Sequence, residues 1–364
     1  MTASTVGGTC AARPDDLPEI VALFGRVYPG TGVPPARLTA HLQRILFEHP
    51  WQQLTVSSLA YRDREARLVG FLGALPRPMT ASGRPIIMAV GHHFMVDPEH
   101  RGTLAALQLL RAFVSGPQDL SICESAADVR KLWHAVGGTT SHLYSPTWTR
   151  PLRPATYLAS LLHGRGRLGA VASLASPLCR ILDHVALAAR SSPYYLAPDQ
   201  WALDDVGADA LVEHIHRFSE RCHLRPRYDA ASLTWLLELL RAKQTIGSLE
   251  LRLVRGSKGR ALGYFLYVAV PGGVSQVVQI GASDETMSAV FRALAADASR
   301  RGAIALSGRL DPRYLSEMTG PSSVKHTGNW LLIHTRDAAI ERAIHMGEAF
   351  LTRLESEWWL PFQE

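Results

Sequence analysis

The spacing of apolar residues predicts one succession of elements, traversed nearly twice. After an extended TCAARP, the pair Asp15-Asp16 caps LPEIVALFGRVY, whose apolar positions recur with helical spacing. A second helical pattern runs through PARLTAHLQRILFEH. Extended patterns follow in VSSLAYRD, ARLVGFLGALPRPM and, past the turn ASGRP, IIMAVGHHFMV. LAALQLLRAFV predicts a helix, DLSICES a short strand, AADVRKLWHAVG a helix, and SHLYSPTWTRPL an extended piece that closes the unit. The order is β-α-α-β-β-β-α-β-α-β.

From about Ala197 the order returns. Helices are predicted in GADALVEHIHRFSERC and AASLTWLLELLRAK, and extended segments in LELRLVR, RALGYFLYVAV and VSQVVQIGA. A helix in ETMSAVFRALAADASRRG, a strand AIALSG, a short helix around PRYLSEM and a strand NWLLIHT follow. The repeat lies in the order of elements and hardly in the residues, so it is a duplication of architecture. Between the copies, the Ala- and Leu-rich stretch PATYLASLLHGRGRLGAVASLASPLCRILDHVALAARSSP predicts two helices joined by the basic turn His163-Gly164-Arg165-Gly166-Arg167. An interdomain hairpin is the expectation; an amphipathic surface for lipid or an acyl chain is the alternative. AAIERAIHMGEAFLTRLESEWW predicts a C-terminal helix, with Trp358 and Trp359 anchoring it. The expected division is a domain over 1–150, a helical linker over 151–195, a second domain over 196–336 and a terminal helix over 337–364.

Composition narrows the class. A chain of 364 residues suits two domains, and 47% hydrophobic with 19% charged residues describes a globular protein with ample core. No apolar run reaches the roughly 18 residues of a membrane span. The N-terminus has neither a basic start nor an apolar run, so no secretory signal is expected. Cys10, Cys123, Cys179 and Cys222 are scattered, which argues against a disulfide framework and for a reducing, cytoplasmic setting. His214, His216, Cys222 and His223 lack ligand spacing, and no metal is expected. A net charge of +6 suits an acidic small ligand or an acidic carrier protein. Without a dense Lys/Arg run interleaved with aromatics, nucleic acid is not an expected partner.

The chemistry concentrates in VDPEHRGTLAALQLLRAF. A strand ending at Val96, a stop at Pro98 and a helix starting near Gly102 gather free backbone N–H groups at the positive end of a helix dipole, an anion site. Gly102 allows close backbone approach and Arg101 adds charge. The stretch MVDPEHRGTLAALQLL, followed by SICESAADVRKLWHAVGG, resembles the GNAT (Gcn5-related N-acetyltransferase) superfamily.

The resemblance implies an α/β fold of two GNAT-like domains, each a mixed, mostly antiparallel sheet flanked by helices, joined by the helical hairpin. It also implies that the family's R/Q-x-x-G-x-G/A loop, which binds the pyrophosphate of acyl-CoA, falls on Arg101, Gly102, Thr103, Leu104, Ala105 and Ala106. Leu104 replaces the usual glycine and could narrow the cradle, while the amides of Gly102, Thr103, Ala105 and Ala106 remain as donors. A remodelled site is therefore implied, for acyl-CoA or for the phosphopantetheine arm of an acyl carrier protein. The backbone of Phe94, Met95 and Val96 would pair with the pantetheine amides.

Acyl transfer to an amine needs a base, and here the central strand carries His92 and His93. Strand alternation puts His92 with Phe94 on one face and His93 with Met95 on the other, so one of the pair at most faces the acceptor. Packed strand histidines are the plainer alternative. Glu124 is a further candidate base, or an N-terminal helix charge. The family's acid tyrosine falls on Trp133, which has no acidic proton; His134, Tyr144 and Cys123 are loose substitutes, and Cys123 is expected in the core. In the second copy, Ser283-Asp284-Glu285 would repel a pyrophosphate. That copy is expected to be non-catalytic, with Gln276 and Gln279 either touching substrate or facing solvent. The expected activity is N-acyl transfer from acyl-CoA, or an acyl carrier protein, to a primary amine of a small molecule or peptide. A Fem-type aminoacyl-tRNA-dependent transferase and a non-catalytic acyl-CoA-binding protein are the alternatives.

Overall fold

The computed structural model describes residues 7–162, 176–195, 201–242, 247–319, 323–325 and 329–360. The basic turn expected at 163–167 lies outside them. Numbered along the chain, the strands of the N-terminal half are β1 (Gly8–Ala11), β2 (Leu59–Arg62), β3 (Leu68–Ala81), β4 (Arg84–Val96), β5 (Leu120–Ser125), β6 (Thr139–Ser141) and β7 (Thr147–Pro151). Then come β8 (Ala202–Asp205), β9 (Leu224–Pro226), β10 (Ser248–Arg255), β11 (Ala261–Ala269) and β12 (Val274–Ala282). The last are β13 (Ala305–Arg309), β14 (Ser323–Lys325) and β15 (Trp330–Thr335).

Two compact units form. The first gathers Met1–Ser145, Glu220–Glu238 and Gly328–Glu364, and the second Pro146–Ser219 and Leu239–Thr327. Among the described residues, the first sheet runs β1-β2-β3-β4-β5-β15-β6, with β9 on β3. Its centre is the hairpin of β3 and β4. Ser82 (φ 48°) and Gly83 (φ 85°) turn between the paired Ala81 and Arg84, the two-residue geometry that suits strand twist. β4 then pairs with β5 in parallel, across the helix Ala105–Val114. That helix buries Leu109, Leu110 and Phe113 against Leu72, Ala74 and Ala89 of the sheet. Trp133 completes this core at 0% exposure, its Nε1–H donating to the Ile333 carbonyl at 2.9 Å.

The second sheet runs β14-β7-β13-β12-β11-β10-β8, and the helix Met287–Arg300 packs Phe291 and Leu294 with Trp148, Phe265 and Tyr267.

Two expectations are corrected. TWTRP does not close the first sheet, nor WLLIHT the second: β7 pairs with β13 and β14, while β15 pairs with β5 and β6. Alternation announces a strand but carries no name for its neighbour. The expected terminal helix also stops early, spanning Ala338–His345. Gly347 adopts φ 78°, and the amides of Gly347 and Glu348 turn back to Ile344 and Ala343, a left-handed cap that ends the helix. The chain beyond it is irregular down to a short turn at Glu357–Trp359.

Candidate active site

β4 and β5 pair from Met88↔Leu120 to Gly91↔Cys123 and no further, so the two strands part beyond Gly91. At the same point β4 takes an extra residue against β3. Gly73 faces His92 and Phe71 faces Met95, and His93 carries φ 48°. This bulge overturns the strand alternation expected of the histidines. Both rings are buried, and their Nδ1 atoms stand 2.8 Å apart, one donating to the other. The His92 ring occupies the space a side chain at residue 73 would fill; a Cβ on Gly73 would lie 2.3 Å from its ring. Burial, and then the neighbouring His93, His41 and His49, hold the His92 pKa well below the ordinary imidazole value. It is a neutral ring at pH 7.

Sequence reasoning missed the carboxyl at the apex of this opening. Glu357 accepts from the Glu124 N–H at 3.0 Å and from the backbone of His93, and the Cys123 thiol donates to it at 3.8 Å. Burial first, and then the Glu124 carboxylate, push its pKa up to about 8, against the pull of those donors. The residue as a whole is half-buried, its carboxyl turned inward. Burial and the same two carboxylates raise the Cys123 thiol well above its usual value, so it is inert as a nucleophile.

The tail is delivered to this point by a locked hub. Arg77, 1% exposed, donates to the Leu354 carbonyl at 3.0 Å and lies 5.1 Å from the Trp51 ring, 5.4 Å from Tyr228 and 5.9 Å from Trp359. Tyr228 donates to Glu355 at 2.6 Å. Trp359 is buried and donates to Leu354, while Ser356 caps the short turn through Trp358 N–H. An acid set between a serine and two tryptophans was the signal available in sequence.

The turn after β4 is braced by Asp97. Its carboxylate takes a 2.6 Å ion pair from Arg26 and the Glu99 N–H; burial alone would raise its pKa, but these partners hold it low. Gly102 takes φ 91°, as close approach requires, and the helix begins at Ala105, later than expected. Two of the four amides expected to remain as donors are instead spent inside the turn, Thr103 on the His100 carbonyl and Ala105 on the Thr103 hydroxyl. Leu104 is 63% exposed, so its side chain points to solvent. Arg101 and Gly102 are exposed, Phe94 and Val96 half-buried, and Met95 buried. Tyr28, also unforeseen, feels both Glu357, which with burial raises its pKa, and Arg101, which lowers it. Phe24 stands between Tyr28 and His93, with ring centres at 4.9 Å and 6.3 Å.

The other candidates are engaged elsewhere. Tyr144 is buried and bonds both the N–H and the carbonyl of Ala349, and His134 bonds Thr140 at 2.8 Å. Glu124 contributes its backbone N–H to Glu357. In the second unit, Gln279 is 1% exposed and accepts from Tyr264 at 2.9 Å, so it does not face solvent. Among the described residues no cluster of side chains could hold a metal ion.

No family model matches the chain, and no curated protein matches it in sequence. Solved structures do match. A protein of unknown function from Enterococcus faecalis V583 superposes with a TM-score of 0.60 at 15% identity, over 91% of this chain and 72% of that one. A GCN5-related N-acetyltransferase from Anabaena variabilis superposes at 0.56 and 14% identity, over 90% and 72%. The chain has the GNAT fold. N-myristoyltransferase from Saccharomyces cerevisiae, solved with bound myristoyl-CoA, superposes at 0.50 and 12% identity, over 92% and 79%. At these identities the likeness concerns the GNAT fold alone.

Proposed function

We propose that the first unit transfers an acyl group from acyl-CoA, or from an acyl carrier protein presenting the same phosphopantetheine arm, to a primary amine. The observation that carries this reading is Glu357: a carboxyl with a pKa of about 8, set between the two amides where β4 parts from β5. The free edge of β4 at Phe94, Met95 and Val96 takes the pantetheine amides, as a strand takes its neighbour. The pyrophosphate lies on the turn from Arg101 to Ala106 at the helix N-terminus.

The acceptor ammonium gives one proton to the Glu357 carboxylate, and the freed amine attacks the thioester carbonyl carbon. As the C–S bond breaks, the thiolate leaves with the proton from Glu357, and the nitrogen loses its remaining extra proton to water. A carboxyl near 8 is matched to a thiol near 8.5, so one group serves as base and then acid. The neutral His92 and the His93 it is hydrogen-bonded to pack against this point and fix the bulge whose amide holds the carboxyl.

The test is calorimetric titration with CoA, acetyl-CoA and a long-chain acyl-CoA, followed by transfer assays on an amine panel. Saturable binding that Gly102→Asp abolishes, and transfer that Glu357→Gln abolishes, are expected. Failure of every CoA species and of an acyl carrier to bind, or full transfer by Glu357→Gln, overturns the reading.

A further inference from the structure

In the second unit, the helices Pro154–Leu162 and Ser176–Ala188 pack as a hairpin that leaves its apolar side uncovered. On the second helix Leu178, Ile181, Leu182 and Val185 are 59%, 62%, 52% and 59% exposed, an unbroken stripe at spacings of three, four and seven. Leu158 and Leu161 of the first helix add 61% and 45%. Scattered exposed leucines are ordinary; six on one hairpin are not.

Along the chain, the charges of the two helices and their flanks have one sign but for a single acid. From 129 to 198 the sequence holds a single acid, Asp183, and the described residues on and beside the two helices include Arg153, Arg180 and Arg190. Asp183 is 3% exposed, and its carboxylate is spent inside the hairpin, on the Ala155 and Thr156 N–H groups and the Thr156 hydroxyl. It fastens one helix to the start of the other and presents no negative charge outward. Arg180 and His184, one turn apart, are exposed beside the stripe. No helix among the described residues is long and apolar enough to cross a membrane.

We infer that this hairpin docks the protein flat on an anionic lipid bilayer, the apolar stripe sinking between headgroups and the basic flank meeting lipid phosphates. An apolar stripe with an acid-free, arginine-bearing border fits that surface. A second copy of the chain would set arginine against arginine across the contact. The inference is independent of the acyl-transfer reading.

The test is co-sedimentation of the full chain with vesicles of phosphatidylcholine alone and of phosphatidylcholine mixed with phosphatidylglycerol. Binding to the mixed vesicles should exceed binding to the neutral ones by about tenfold and weaken with salt. Ile181→Glu with Val185→Glu should abolish it while leaving the melting temperature unchanged, since both side chains are exposed. Arg180→Glu should lower the preference for anionic lipid without removing binding. Two outcomes overturn the inference: no association with either vesicle, or a concentration-dependent dimer in light scattering that the same glutamates dissolve while vesicles bind nothing.

Discussion

In the first unit β4 runs parallel to β5 as far as Gly91↔Cys123; in the second, β12 runs parallel to β13 as far as Gln276↔Ser307. Each strand then carries an extra residue against its antiparallel partner, His93 on β4 and Val278 on β12. The bend is therefore made twice, and it is filled differently. In the first unit a strained His93 and a buried carboxyl meet there, and the turn beyond ends on an exposed Arg101 and Gly102. In the second, Tyr264 and Gln279 satisfy one another, and a Cβ on Gly281 would lie 2.2 Å from the Tyr264 ring. Its following turn is closed on itself: the amides of Thr286 and Met287 both bond the Ser283 carbonyl, and the Thr286 hydroxyl takes the Ser283 N–H. Both turns spend amides on themselves, but here Asp284 and Glu285 stand where the first unit has Arg101, and like charge repels an anion. The architecture supplies an opening; what the opening can do depends on the charges and side chains set in it.

The sharpest way to break this contrast is Glu357→Gln, expected to lower amine acylation at least about 100-fold. Wild-type turnover should rise with pH through about 8 as the carboxyl ionises, and the variant should lose that limb. The same shift sets a stability trend. The folded carboxyl keeps its proton to about 8, while the unfolded one releases it near 4.5. Its contribution is complete below 4.5 and is lost as pH rises to about 8, so urea titrations should find Glu357→Gln gaining on wild type at high pH.

Gly102→Asp comes next. It should abolish stabilisation by CoA, because a carboxylate enters the anion site and a side chain enters a backbone at φ 91°, while the protein itself loses roughly 1–3 kcal/mol. The matched change in the second unit, Asp284→Asn with Glu285→Gln, should leave CoA titrations as they were.

Smaller still is a matched pair of glycines. Gly73→Ala drives a methyl into His92, and Gly281→Ala drives one into Tyr264. Both should cost about 1–3 kcal/mol in thermal unfolding. Gly73→Ala should also depress turnover by displacing the bulge, and Gly281→Ala should not. Equal loss of turnover in both would erase the distinction between the units.

Much of this was legible in the residues. The β3–β4 hairpin with its Ser82-Gly83 turn, the helix after Gly102 and the doubled order of elements follow from local periodicity and turn chemistry. The His92–His93 pair was visible, yet alternation placed the rings on opposite faces, because a bulge leaves no mark in a period-two pattern. Glu357 was read into a helix, since LTRLESEWW is periodic enough; Gly347 stopped that helix, and Arg77 drew the tail across β4.

The sequence by itself determined the long strands and helices, where a basic glycine turn follows a strand, and that the second copy's turn is acidic. Those are properties of neighbours in the chain, set by steric preference and side-chain period. Only the tertiary structure decided that β7 and β15 change sheets and that a carboxyl from residue 357 meets amides at 93 and 124. It also decided that burial lifts that carboxyl to about 8. Desolvation and pairing arise between groups hundreds of residues apart in the chain, and they exist only once the core has closed around them.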